Sequence, residues 1–274
     1  MFKADYHVHS SLSFDADPDA SIEAVIKTAA EKEIGEIAIC DHYDVNWVAR
    51  GENPDIDFQE TRNQINAAKD KLRIKNTKIL LGIELGQPHQ IPGKANEVLS
   101  KNDFDFILCA LHNARGEKDF YGIDYKNTSV AEIIKNFEKY TAELSELANW
   151  GDFHALAHIT YPVRYCLQNE INIPVDKYKD LYIKLFKILI HRGIALEVNA
   201  SGLRKKEKRT SPDRELLKLY KETGGELITA GSDSHRTSDI FSGIWETYEQ
   251  LYSLGFRYIT TVRDKELVQN KIEI

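Results

Sequence analysis

The sequence predicts an α/β fold of seven strand-then-helix units, arranged as a closed barrel or a long doubly wound sheet. Short apolar runs alternate with longer segments of helical periodicity along the chain. Many of those runs are too continuously apolar for a sheet with one wet face, as expected of parallel strands covered on both sides. No low-complexity linker divides the 274 residues, a length that suits one large domain.

The predicted strands are Ala4–Val8, Glu36–Cys40, Ile79–Glu84, Phe106–Leu111, His154–Ala157, Ala195–Asn199 and Leu227–Ala230, with Tyr258–Thr261 a further candidate. Between them, Ser21–Glu33 sets Ile22, Val25, Ile26 and Ala29 on one stripe. Phe58–Arg73 carries Ile65 and Leu72. Ser129–Asn149 repeats Val130, Ile133, Ile134, Phe137, Leu144 and Leu147, and Val175–His191 reads the same way. Pro212–Thr223 is expected to open on a Ser211 N-cap with proline in the first turn, and Ser238–Leu254 follows the seventh strand. Arg50–Asp57 and Gln87–Lys94 read as loops.

Composition narrows the function classes. Apolar residues at 42% and charged residues at 29% describe a soluble globule rather than a disordered chain. Lys plus Arg is 36 against 43 for Asp plus Glu, and the net charge of −7 argues against a stable nucleic-acid partner. MFKADYHVHSS has no signal-type apolar core, and no run approaches the roughly 20 apolar residues of a membrane helix. A cytoplasmic protein without a membrane partner is expected. Cys40, Cys109 and Cys166 show no CxxC spacing and read as buried thiols.

The histidines carry the chemistry. Six of the nine fall at or just past the C-terminal end of a predicted strand: His7, His9, His42, His112, His158 and His235. Glu84 ends the third strand, and Asp233 shares the last loop with His235. In a barrel these ends converge on one mouth. Residues i and i+2 of a strand point the same way, so His7 and His9 can meet one ion, and Asp233 and His235 repeat the spacing. The alternative is two barrel-lining histidines satisfied by hydrogen bonds, but a dry mouth with so many imidazoles and carboxylates needs compensation. Mixed nitrogen and oxygen donors suit Zn²⁺, Fe²⁺ or Mn²⁺ alike. Asp41 and His42 are adjacent and cannot both face inward from a regular strand. His89, His154 and His191 fall outside the pattern, as loop, strand-start and helix-end histidines.

DYHVHS, ICDHYD, GIELG, LHNAR, AHITYPVRY and GSDSHR occur in that order between residues 5 and 236. Together they resemble the metal-binding motifs of the PHP (polymerase and histidinol phosphatase) family, and most of all its histidinol-phosphate phosphatases. The resemblance implies a distorted (β/α)7 TIM-like barrel and one PHP-type catalytic domain over residues 1–274, with two or three divalent ions in its mouth. His7, His9, Glu84 and Asp233 would hold one ion. Glu84 would bridge to a second at His112 and His158, and Asp15, His42 and His235 would hold a third. Many members have histidine where this chain has Asp15, and several histidinol phosphatases have an acid; Asp17 and Asp19 compete for the place. Asp41 is expected to orient His42 from behind.

The implied activity is hydrolysis of L-histidinol phosphate to L-histidinol and phosphate, a step of histidine biosynthesis. A phosphoesterase of the same family acting on nucleotides or short oligonucleotides is the alternative. Asp233, Glu84 and His235 are the catalytic candidates, with Asp233 orienting the attacking hydroxide or protonating the leaving oxygen. Arg164, in YPVRY, is the first candidate for substrate phosphate, followed by Arg115 and Arg204. Tyr161, Tyr165 and Trp47 are candidates to flank a substrate ring, with burial in the barrel loops as the alternative, and Asp44 and Glu117 are candidates to meet a cationic amine or imidazole. LRKKEKR at 203–209 attracts an anionic ester or is a solvated loop. The expected partner is a small phosphate ester, and these residues assign no oligomeric state. A non-catalytic, metal-stabilised module would need no open multimetal mouth, and no GxSxG marks a serine hydrolase.

Overall fold

A computed structural model describes residues 2–47 and 56–274, so most of the predicted Arg50–Asp57 loop lies outside the described residues. Eight strands form a parallel sheet: β1 (Ala4–Val8), β2 (Glu36–Ile39), β3 (His42–Asp44), β4 (Lys78–Gly86), β5 (Phe106–Ala110), β6 (Ala155–Leu156), β7 (Ala195–Asn199) and β8 (Ile228–Gly231). The order is β1-β2-β4-β5-β6-β7-β8, and the short β3 continues beyond β2 along the same edge of β4. Val8 bridges in parallel to Ser234 beyond β8, which brings the sheet round into a nearly closed seven-stranded barrel.

The helices α1 (Ile22–Glu31), α2 (Phe58–Leu72), α3 (Pro92–Lys101), α4 (Val130–Asn149), α5 (Tyr161–Gln168), α6 (Lys179–Arg192), α7 (Ser201–Arg204), α8 (Arg214–Glu222) and α9 (Ile244–Ser253) occupy the connections. The predicted stripes are the buried faces: Ile22, Val25, Ile26 and Ala29 in α1, and Ile133, Phe137, Leu144 and Leu147 in α4. Ser21 caps α1, and Ser129 with Glu132 forms a reciprocal capping box on α4.

The alternation of the strands separates two apolar layers. Val8, Ile37, Ile39, Leu81, Ile83 and Leu85 pack in the larger cluster with the helices. Ala4, Tyr6, Ala38, Leu80, Phe106 and Leu108 form the smaller one, which fills the barrel. An antiparallel hairpin, β9 (Tyr258–Arg263) and β10 (Glu266–Lys271), closes the end opposite the mouth. Its Val262 joins the inner cluster and donates its N–H to the Tyr6 hydroxyl at 2.8 Å.

The structure corrects several expectations. Asp213, rather than Ser211, caps α8 by accepting from the Leu216 N–H. Gln87–Lys94 is a short 3₁₀ turn at Pro88–Gln90 running into α3. Neither α5 nor β10 was anticipated. The prolines explain two of these points: each stands in the first turn of a helix, where its missing N–H costs nothing.

Gly231 at the end of β8 faces the β1–β7 gap. A Cβ there would lie 2.4 Å from His7 Cβ and 2.6 Å from Glu197 Oε1. Gly231→Ala should therefore destabilise the fold by ~1–3 kcal/mol through overpacking. Urea unfolding with an unchanged m-value and a lowered midpoint would bear this out, whereas wild-type stability would show that the gap can widen freely.

Candidate metal centre and active site

The strand ends deliver their side chains to one point. Glu84, on β4, has no exposed surface. Its Oε1 lies 3.2 Å from His112 Nε2 and 2.8 Å from His158 Nε2. Its Oε2 lies 2.6 Å from His42 Nδ1, 3.4 Å from His7 Nε2 and 3.6 Å from His9 Nε2. Five imidazoles thus surround one carboxylate. Asp233 Oδ1 is 3.6 Å from His9 Nε2 and 3.9 Å from His7 Nε2, and Asp15 Oδ2 is 3.2 Å from His235 Nε2. Asp15 Oδ1 is 3.6 Å from His42 Nε2. All nine residues expected as ligands are brought together.

Local backbone devices make this convergence possible. Tyr6 and His7 are adjacent, yet Tyr6 packs inside the barrel and His7 and His9 face the mouth. A register shift between Asp5 and Val8 reverses the alternation. Asp233 sits in the left-handed region at φ 52°, so GSDSH is a turn rather than a strand. The Asp233 N–H donates to His7 C=O at 2.7 Å, and the His9 N–H to Ser234 C=O at 2.9 Å. The same hydrogen bonds close the barrel and place the donors.

The donor set suits divalent ions. Glu84 Oε2 and His235 Nε2 are buried and make no hydrogen bond despite close charged neighbours. His7, His9 and Asp233 form one group of mutually close ligand atoms, His42, Glu84 and His112 another, and His9, His42 and His235 a third. His42 thus stands between groups. Behind them, carboxylates and a hydroxyl take the second ring nitrogens: Glu197 Oε1 on His7 Nδ1 at 2.5 Å, Asp44 Oδ2 on His112 Nδ1 at 3.1 Å, and Ser13 Oγ on His9 Nδ1 at 3.0 Å. These bonds leave Nε2 of each ring to face the centre, the usual support of an imidazole ligand.

Charge follows from this nesting. Burial opposes ionisation of Glu84, but His42, His7 and His112 hold its carboxyl well below the usual range. Burial likewise opposes ionisation of Asp233, and His7, His9 and Arg164 overcome it. Burial disfavours the charged form of His42, yet Glu84 and Asp15 raise it to about 10. His9 goes the other way, held well below its ordinary value by burial and by the charges of His235 and His42.

Sequence reasoning missed part of this support. Glu197 stands in an apolar strand, ALEVN, where an inward-facing carboxylate was the available signal; its Oε2 also accepts from the His158 N–H at 2.8 Å. Asp44, expected to meet a cationic amine or imidazole of the substrate, lines the cleft and also holds His112. Gly86 makes room for it, since a Cβ there would fall 1.8 Å from Asp44 Oδ1. Asp41 does not bond the His42 ring. It accepts from Ser10 and Ser13, and it steadies His9 through Ser13.

The mouth above the cage is a cleft lined by the expected Arg164, Tyr161, Tyr165 and Trp47 among others. Tyr161, Arg164 and Tyr165 share one face of α5 by their i, i+3, i+4 spacing. The Arg164 guanidinium donates to Ser201 Oγ at 2.5 Å and Asp233 Oδ2 at 3.1 Å. Arg115 and Arg204 do not line the cleft. Arg115 is exposed, bonded to Gln90 C=O and 3.9 Å from Glu146. Arg204 donates to Ser232 C=O at 2.8 Å and Ser242 C=O at 3.1 Å, bracing the turn that carries Asp233. Glu117 is paired with Lys139 away from the cleft, Asp17 with Arg236, and Asp19 with Thr237. His89 bonds Glu143, and His154 bonds the backbone of Ile107 and Lys265, so neither joins the cage.

Comparison with known proteins gives the same picture. The model of the PHP domain family matches residues 5–201. A probable histidinol-phosphatase of Clostridium acetobutylicum is 30% identical over 86% of this chain and 88% of its own length. One of Thermotoga maritima is 27% identical over 98% and 99%. The crystal structure of histidinol phosphate phosphatase from Lactococcus lactis, complexed with zinc, L-histidinol and phosphate, superposes with a TM-score of 0.81 at 21% identity. The match covers 97% of this chain and 98% of that one.

Metal uptake should release protons. At pH 7.5 the His42 ring is protonated in this cage and must become neutral to coordinate, whereas Glu84 and Asp233 are already ionised. Calorimetric zinc titrations in buffers of different ionisation enthalpy should show about one proton or more released per chain, with affinity falling as pH falls. Heats independent of the buffer would refute this.

Proposed function

Because the chain belongs to the PHP-domain family, we propose that it is a metal-dependent phosphomonoesterase that hydrolyses L-histidinol phosphate to L-histidinol and phosphate. The observation that carries the phosphoesterase reading is Glu84, buried among five imidazoles beside a cleft that Arg164 lines. The whole-length similarity to proteins named histidinol-phosphatase supports the substrate. We assign two or three divalent ions (zinc, iron or manganese) to His7, His9, Glu84 and Asp233, to Glu84, His112 and His158, and to Asp15, His42 and His235. Such ions supply Lewis-acid charge for the phosphoryl oxygens and lower the pKa of coordinated water.

The protein's own groups do the rest. Arg164 receives a non-bridging phosphate oxygen through charge-assisted hydrogen bonds, exchanging part of its bond to Asp233 for the ester. Asp233, ionised and flanked by Arg164 and the His7–His9 pair, takes a proton from the attacking water and returns it to the leaving alkoxide oxygen. Glu84 holds the imidazoles in register, and His235 faces Asp15 across the open side. Water adds to phosphorus as the alkoxide leaves, giving the alcohol and inorganic phosphate. Three free, buried cysteines fit a reducing compartment, and we place the enzyme in the cytoplasm. No helix among the described residues is long and apolar enough to cross a membrane.

A panel of L-histidinol phosphate, nucleotide monoesters and short oligonucleotides tests the assignment. The expected kcat/KM for L-histidinol phosphate exceeds the others by at least ~100-fold; preference for a nucleotide would replace the reading with a nucleotide phosphoesterase. Arg164→Ala should lower kcat/KM by ~10²–10³ in the metal-loaded enzyme, chiefly through phosphate recognition. Glu84→Ala should lower kcat by at least ~10³ together with metal content. Wild-type kinetics for either variant would remove that residue from the mechanism.

A further inference from the structure

The cleft carries five acidic residues, and four of them have cationic or imidazole partners. Asp15 faces His42 and His235, Asp44 faces His112, Glu84 faces the imidazole cage, and Asp233 faces Arg164. The fifth, Asp119, has no ion-pair partner among the described residues. Its Oδ1 accepts the Tyr161 hydroxyl at 2.9 Å and the Tyr121 N–H at 2.9 Å. Its Oδ2 accepts no hydrogen bond there, although the carboxylate lines the cleft. Burial disfavours the charged form of a carboxylate so placed, and a cation brought by the ligand would favour its anion.

The neighbours agree. Tyr161 and Tyr165 meet edge to face with centroids 5.0 Å apart, Tyr165 meets Tyr121 at 6.1 Å, and Tyr121 is 59% exposed. This is an aromatic wall around a carboxylate, a surface that attracts a flat or quaternary cation and repels a polyanion. Tyr161 also acts as a ruler. Arg164 lies 5.8 Å from its ring centroid, and its hydroxyl reaches Asp119. The anion-binding and cation-binding groups are thus about one tyrosine side chain apart.

We propose that Asp119 determines specificity: Oδ2 receives the protonated nitrogen, ammonium or imidazolium, of a short phosphomonoester whose phosphate lies at Arg164. This deepens the phosphomonoesterase reading and rests on it. It selects, within that class, esters carrying a cationic nitrogen a few bonds from phosphorus.

The test compares kcat/KM for cationic esters, L-histidinol phosphate and phosphoethanolamine, with that for uncharged-tail p-nitrophenyl phosphate. Wild type, Asp119→Asn and Asp119→Glu are each loaded with zinc. Asn can still accept the Tyr121 N–H, so the local turn is kept. The ratio of cationic to p-nitrophenyl ester use should fall ~10–100-fold in Asp119→Asn and largely return in Asp119→Glu. Calorimetric binding of L-histidinol should weaken in parallel. A ratio within about twofold of wild type in Asp119→Asn, or a wild type without preference for a cationic tail, would overturn the proposal. A wild type that prefers phosphoethanolamine and loses that preference in Asp119→Asn would uphold it while overturning the histidinol phosphate assignment.

Discussion

A carboxylate with no exposed surface, as Glu84 has, is destabilising unless positive charge surrounds it closely. The fold meets this constraint by sending five imidazoles, from β1, β3 and the ends of β5 and β6, towards the same two oxygens. Those imidazoles are themselves buried and need support. Glu197 and Asp44 stand behind His7 and His112, and Ser13 links His9 to Asp41. The result is a nest of alternating charge: an acid at the centre, bases around it, and acids again behind two of them. Divalent ions fit such a nest because they supply the concentrated positive charge the inner acids call for, while the outer acids raise the basicity of the rings.

Strand geometry alone would not bring these groups together. The register shift in β1 lets one strand supply both a core tyrosine and two mouth histidines. Missing side chains at Gly86 and Gly231 leave space for Asp44 and for the His7–Glu197 contact. The left-handed turn at Asp233 points its carboxylate at both the histidines and Arg164. Arg204 holds that turn through backbone carbonyls and never reaches the cleft. Stability and activity share these parts, since the bonds that seal β1 to the Ser232–Ser234 turn also aim the functional groups.

The seven strand–helix units and the histidines at the strand ends were legible because both are written in spacing, whereas the closed barrel and the place of Asp15 came only with the resemblance to the PHP family. Short, continuous apolar runs locate strands, and a histidine or acid at the end of most of them is hard to place anywhere but the mouth. What lay hidden depends on the direction in which a side chain leaves an irregular segment. Arg115 follows His112 by three residues and turns outward to Glu146, whereas Asp119, seven residues on, returns to the cleft. Glu117 and Asp119 are both acids in one polar loop, and only the 3₁₀ turn after Asp119 separates their fates. Pro162 stands in the first turn of the short helix that carries Arg164, a helix the apolar pattern did not show. Asp44 gave no sign in the sequence of its hold on His112, which comes from the register of β3 on β4 that sets it opposite Gly86.

The central claim is that Glu84 is the shared anchor of bound divalent ions in the active protein. Anomalous scattering from crystals of catalytically active enzyme, collected on both sides of the zinc, iron and manganese edges, addresses it directly. The account predicts metal peaks within bonding distance of Glu84 oxygens and of the surrounding imidazole nitrogens. Fully active crystals whose maps contain no anomalous peak beside Glu84 would contradict it.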